Sequence, residues 1–186
     1  MVLARLKSTV SGCAVALACG AALPGCGEEP GIVEPAREGL SIDVGEIAYD
    51  VFLTRQLNLA ITPDEAFYQG PPPGPGRTFY GVFLQACNLT SDEPVTTTDD
   101  FVVEDIEGNE FEPIELPEDN PFAYRPTELG KDDCIPADGS VAQQSPTAAS
   151  LLIFDFPIES TGQRPLNLTI TPPPGGGEPK VIELDL

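Results

Sequence analysis

From residue 40 onward the chain alternates apolar and polar residues with a period of two, in short runs bounded by Gly, Pro, Asp and Thr. That period is the mark of strands with one buried face. Leu40, Ile42 and Val44 predict a short strand, and Ile47, Tyr49, Val51 and Leu53, alternating with Ala48, Asp50, Phe52 and Thr54, predict a second. Residues 78–89 are the longest apolar run. Tyr80, Val82, Leu84 and Ala86 lie on one side and Phe83, Gln85, Cys87 and Leu89 on the other, so both faces are expected to be covered, as in a central strand. Residues 101–106 and 110–116 predict a hairpin around Glu107-Gly108-Asn109, where Gly and Asn tolerate the positive φ of a tight turn. Leu152, Phe154 and Phe156, then Leu166, Leu168 and Ile170, then Ile182, Leu184 and Leu186 bring the count to about eight strands. No segment past the N-terminus has the pattern of an amphipathic helix. The expected fold is all-β, an antiparallel sandwich, with an up-and-down or Greek-key barrel as the alternative.

Three connections break the pattern. Residues 70–76, Gly-Pro-Pro-Pro-Gly-Pro-Gly, and 172–177, Pro-Pro-Pro-Gly-Gly-Gly, cannot enter the interior of a sheet and are expected as exposed loops. The long segment 118–147 contains Phe122 and Tyr124. Those two aromatics either form a contact surface for a partner or cap the core beneath the loop, and loops this long usually need packing of their own.

The first 25 residues have the anatomy of an export signal. Arg5 and Lys7 precede an uncharged, small-residue apolar stretch that ends at Leu23-Pro24-Gly25-Cys26. Leu three before, Gly one before and then Cys is the spacing of a bacterial lipoprotein cleavage and lipidation site. Residues 1–25 are therefore read as a cleaved signal peptide, 26–39 as lipidated Cys26 with a flexible polar tether, and 40–186 as the folded domain. An ordinary secretory signal with an incidental Cys26 is the alternative. A coil of that length spans about 20 Å on average.

Cleavage also sorts the five cysteines. Cys13 and Cys19 leave with the signal and Cys26 carries lipid, so Cys87 and Cys134 remain. In an oxidising compartment the simplest expectation is one disulfide between them, the alternatives being two buried free thiols or a mixed disulfide with a partner.

Nine basic residues stand against thirty acidic ones, for a net charge of −21, and loss of Arg5 and Lys7 makes the mature chain more negative still. Nucleic acid and anionic lipid headgroups are repelled by such a surface, since phosphate binding depends on clustered Lys and Arg. With no histidine, and no methionine beyond Met1, the chain has no Ser-His or Cys-His nucleophile and no imidazole metal site. A pair of carboxylates can cleave glycosides, but nothing singles out a pair among thirty. Asp99-Asp100, Asp105-Glu107-Asn109 and Asp132-Asp133 are the places where calcium would bind, yet none has the spacing of a calcium loop. Asp105 to Asn109 is better used by a hairpin turn. Asn88-Leu89-Thr90 and Asn167-Leu168-Thr169 match the glycan-acceptor triplet but read as strand residues. The sequence assigns no catalytic residue, metal ligand or cofactor.

The stretch YGVFLQACNLTSDEPV at 80–95, with FVVEDIEGNEFEPI at 101–114 and GSVAQQSPTAASLLIFDFPIES at 139–160, resembles a family of bacterial lipid-anchored extracellular domains of unknown function. The resemblance implies an immunoglobulin-like β-sandwich, similar to that of immunoprotective secreted antigens, over most of residues 40–186. It brings no activity or catalytic residue. The expectation is a non-catalytic module anchored through Cys26 to the extracytoplasmic face of a cell membrane. There it would bind an exported protein or a surface polymer. The alternative is a small-molecule or divalent-cation-binding lipoprotein serving a transporter.

Overall fold

β-branched and aromatic residues at alternate positions make strands wherever two faces can be buried, and here they make two packed sheets. In chain order the strands are β1 (Ala36–Arg37), β2 (Ile42–Val44), β3 (Ile47–Gln56), β4 (Arg77–Cys87), β5 (Val95–Thr96), β6 (Asp100–Glu104), β7 (Glu110–Phe111), β8 (Glu128–Leu129), β9 (Cys134–Ile135), β10 (Ser150–Pro157), β11 (Leu166–Thr171) and β12 (Lys180–Leu184). The structure, a computed structural model, describes residues 35–185. Leu23 to Cys26, and with them the signal and the lipidation site, lie outside the described residues.

One sheet has the order β1-β12-β11-β6-β7 and the other β10-β4-β3-β2, with β9 beside the end of β4; β5 and β8 form a separate pair. All pairings are antiparallel except β1 with β12, where Ala36 lies opposite Ile182. β4 pairs with both β3 and β10, the chain crosses to the facing sheet between β4 and β6 and again between β10 and β11, and β11 lies between β6 and β12. Those pairings are the A-B-E and C′-C-F-G orders of an immunoglobulin-like sandwich. The expected fold class stands. The strand count is higher than the alternation indicates because five of the twelve strands are two residues long, too short to show a period.

The two inner faces meet in one core. Tyr49, Val51, Val82, Leu84 and Phe154 from one sheet pack against Phe101, Val103, Leu168, Ile170 and Ile182 from the other, all at 2% exposure or less. β4 is covered on its outer face as well. Phe79 and Phe83 lie there with Leu57, Phe67, Leu151 and Ile153 in a second apolar cluster. This accounts for the unbroken apolar run at 78–87. Gly81 faces that cluster, where a Cβ would come within 2.9 Å of Leu151 Cδ1 and 3.1 Å of Leu57 Cδ2.

The lid over the outer cluster is the 57–68 segment, which contains the one-turn helix α1 (Asp64–Phe67). The buried Asp64 carboxylate accepts hydrogen bonds from both terminal nitrogens of Arg55 and from the Asn58 N–H. The Arg55 guanidinium lies 5.5 Å from the Phe83 ring centre and 6.0 Å from that of Phe67. Its charge is thus held between a carboxylate and two aromatic faces.

One expectation needs correction. The tether does not extend to Gly39, because Ala36 and Arg37 pair with β12, the Glu38 carboxylate accepts from the Thr54 N–H at 3.1 Å, and the Gly39 N–H donates to the Val51 carbonyl at 2.8 Å. Residues this polar show no apolar period, so the sequence hides a strand that is held through its backbone.

Candidate functional site

Next to β10, where an immunoglobulin sandwich carries its D strand, the chain runs as an irregular extended segment. Pro113 bridges to Phe154, the Ile114 N–H donates to the Ile153 carbonyl at 2.7 Å, and Leu151 exchanges hydrogen bonds with Phe122 and Tyr124. Proline at 113, 117 and 121 keeps this stretch from becoming a regular ladder strand. Along residues 110–119 the apolar side chains turn inward. Leu116 is buried and Phe111 packs edge-on against Phe156, with ring centres 4.9 Å apart. Glu110, Glu112, Glu115, Glu118 and Asp119 are all exposed. None of the ion pairs found among the described residues includes any of these five. Arg125 touches the segment, but through the carbonyls of Leu116 and Pro117.

Two apolar recesses open here, one beside this row of carboxylates and one beyond its C-terminal end, past Asn120. The first, of about 340 Å³, is floored by Phe101, Ile114, Leu116 and Leu152, with Asp99, Glu115 and Arg125 as its charged lining residues. The second, of about 300 Å³, is lined by Pro63, Ala66, Phe67, Phe122, Val141 and Pro146. Asn120 ties the acidic segment to this second recess by donating from Nδ2 to the Phe67 carbonyl at 2.7 Å. Phe122 stands edge-on to Phe67 with ring centres 5.0 Å apart, and Val141 is 57% exposed. Either recess has room for one or two apolar side chains, and both stand at the lower end of the volumes of small-molecule sites.

The residues singled out by sequence divide between structural and surface roles. Tyr124 is buried. Its hydroxyl donates to the Thr98 carbonyl at 2.9 Å, while the Tyr49 hydroxyl accepts from the Thr98 N–H at 3.0 Å. Burial pushes both phenols above the ordinary tyrosine range. Phe122 does both jobs, packing on Phe67 and leaving a face toward the second recess. The 70–76 loop is exposed at most positions and folds back so closely that a Cβ on Gly70 would lie 2.3 Å from the Tyr68 ring. Cys87 and Cys134 stand opposite one another on β4 and β9, their sulfurs bonded at 2.08 Å.

Of the carboxylates considered for calcium, Asp105 is taken up by the fold and Asp133 accepts from the Gly130 N–H. Asp105 is buried and its Oδ1 accepts from the N–H groups of Glu107 and Asn109, while the Asn109 amide reaches both carboxylate oxygens. Burial raises its pKa, and these donors outweigh burial, holding the group below the ordinary aspartate value. The predicted hairpin is built on this carboxylate, with Gly108 at φ +82°. Asp132 and Asp133 lie beside Cys134 in an open acidic hollow of about 360 Å³. Among the described residues no group of three or more Asp, Glu, Cys or His is placed to hold a metal ion. Asn88 is fully buried, donating to the Leu129 and Glu93 carbonyls and accepting from the Ser91 N–H, so its triplet is a fold device.

The exposed carboxylates on 110–119 and the recess around Val141 and Pro146 are absent from the sequence expectations. Glu-Phe-Glu-Pro-Ile-Glu-Leu carries a visible alternation, but it reads as an ordinary half-buried strand, and only the fold shows that this face ends against Phe67. Among the described residues no helix is long and apolar enough to cross a membrane.

No family model and no curated protein matches the sequence. Among solved structures, the chain is similar to the yjhA protein of Bacillus subtilis, at 11% identity and a TM-score of 0.50, over 81% of this chain and 99% of that one. It is also similar to a Bacillus subtilis protein named "a putative lipoprotein (ycdA)", at 12% identity and a TM-score of 0.50, over 78% of this chain and 38% of that one. An uncharacterized β-sandwich protein of Clostridium difficile superposes at a TM-score of 0.45 and 15% identity, over 84% of this chain and 100% of that one. At these identities the likeness to the two Bacillus proteins is one of fold.

Proposed function

We propose that this chain is a lipid-anchored, non-catalytic interaction module on the extracytoplasmic face of a bacterial cell membrane. The observation that carries the reading is Leu23-Pro24-Gly25-Cys26 at the end of an uncharged apolar run that follows Arg5 and Lys7. The lipoprotein designation of one fold neighbour, and the resemblance to lipid-anchored extracellular domains, point the same way. Cys26 precedes Ala36, the first strand residue, by about ten positions. The second half of the reading, that the module binds a partner, is supported by apolar recesses at and beyond a row of exposed carboxylates.

The test is metabolic labelling of a bacterium expressing the chain with an alkyne-tagged fatty acid. The wild type is expected to take up label and sediment with membranes, and Cys26→Ser to do neither. A wild-type chain without label, or membrane association that survives Cys26→Ser, would contradict the anchor.

A further inference from the structure

For an interaction module with apolar recesses at its surface, charge decides among the candidate occupants. A second copy of this chain brings a net charge of −21 against the same carboxylates. The spacer between Cys26 and the sandwich offers only Ile32 and Val33 as large aliphatics, and it carries Glu28, Glu29 and Glu34. Both occupants set like charges side by side. A polyamine or amino sugar matches the charge but has no side chain to fill a recess lined by Pro63, Phe67, Phe122, Val141 and Pro146. Exposed Glu110, Glu112, Glu115, Glu118 and Asp119 follow one extended segment that leads to that recess, because Asn120 is bonded to Phe67. An extended polypeptide of positive charge satisfies both features.

We propose that the 110–119 segment and the recesses at and beyond it dock an extended cationic stretch of another exported polypeptide. Its Lys and Arg side chains lie over these five carboxylates, and one aromatic or aliphatic side chain sits between Phe67, Phe122, Val141 and Pro146. This rests on the interaction-module reading and names the partner's chemistry. Opposite charges speed the encounter and set the register, while the seated apolar side chain supplies the anchor.

The chain contains no tryptophan, so the fluorescence of a tryptophan in a probe reports seating without background. The probe is a synthetic peptide with one central Trp flanked on each side by lysines, titrated with the mature chain carrying Cys26→Ser. A saturable blue shift of the Trp emission is expected. Affinity should fall at least tenfold with Val141→Asp, and equally with Glu115→Lys, Glu118→Lys and Asp119→Lys combined. It should weaken with added salt and stay within twofold of the parent for Glu178→Lys, in the 172–179 loop. All five changed positions are exposed, and thermal melting of each variant checks that the fold is kept. The proposal is overturned by any of four results: no blue shift, equal binding of a Glu-flanked Trp peptide, an equal loss with Glu178→Lys, or full displacement of the peptide by equimolar spermine. Fatty-acid labelling at Cys26 reads the anchored-module claim separately, so failure of the peptide leaves that result standing or falling by itself.

Discussion

Glu38 joins the two sheets at the N-terminal edge of the sandwich. Its Oε2 accepts from the Thr54 N–H, while Oε1 is buried without a partner. Burial, the largest influence, raises its pKa above the ordinary 4.5 despite the hydrogen bond from the Thr54 N–H. The folded state therefore binds this proton more tightly than the unfolded chain does. The contribution to stability is fullest below pH 4.5 and declines as pH rises toward the folded pKa. Glu38→Gln is expected to remove that decline and to raise the melting temperature at pH 7 by a few degrees, on the order of 1 kcal/mol. A variant that melts lower than the parent at pH 7 would show that the carboxylate charge is needed. Asp64 behaves in the opposite sense. The Arg55 guanidinium is the main influence holding its pKa below 3.8, with the Asn58 N–H adding to it. Its contribution is present above pH 3.8 and is lost as pH falls through the lower folded value. Asp64→Ala is expected to cost about 2 kcal/mol at neutral pH, since Arg55 keeps part of its hydration at 32% side-chain exposure while Asp64 keeps almost none at 4%. Urea unfolding measures it, and an unchanged midpoint would sink the claim.

Among the elements, β4 shows what a strand owes to having both faces covered. Its inward residues fill the main core, and its outward Phe79 and Phe83 carry the cluster under α1. Gly81 leaves the space that Leu57 and Leu151 occupy, so Gly81→Ala is expected to destabilise by about 1–3 kcal/mol through overpacking. Chemical denaturation reads it, and a neutral result would mean that the 57–68 lid gives way freely. The long strands were legible in the sequence because Val, Ile, Leu and Phe alternate there, although in β3 a register shift between Val51 and Leu53 leaves Leu53 exposed and buries Thr54. The Gly108 hairpin was legible from its turn residues. β1 was not, because Pro35-Ala36-Arg37-Glu38 shows no period and is held by backbone pairing with β12. α1 is a single turn, too short for a helical period, and depends on Asp64 reaching Arg55. The recess around Phe67, Phe122 and Val141 brings together residues from α1 and two loops distant in sequence, and no local pattern encodes that meeting. Phe122 and Tyr124, two residues apart, differ because Tyr124 finds Thr98 and Tyr49 in the interior while Phe122 stops at the surface.

For the whole molecule, topology and covalent chemistry bear on one another. The Cys87–Cys134 bond spans 47 residues and ties the β4 end of the sandwich to the loop segment that follows the acidic stretch. Closing a loop of that size restricts the unfolded chain by about 4 kcal/mol in the chain-entropy account, a large share of the 5–15 kcal/mol typical of a domain. Reduction, or Cys87→Ala with Cys134→Ala, is expected to lower stability by an amount of that order, read from the shift in denaturant midpoint. An unchanged midpoint would remove the bond from any structural role. The charge of the chain acts at this scale too. Thirty carboxylates repel a second copy and anionic surfaces alike, so under the proposed function attachment to a membrane would fall to a lipid on Cys26. The intact mass of the mature protein purified from bacterial membranes tests this most directly. The expected value is a chain beginning at Cys26, increased by a diacylglyceryl group and reduced by the two hydrogens of the Cys87–Cys134 bond. An unmodified chain that begins at any other residue would contradict it.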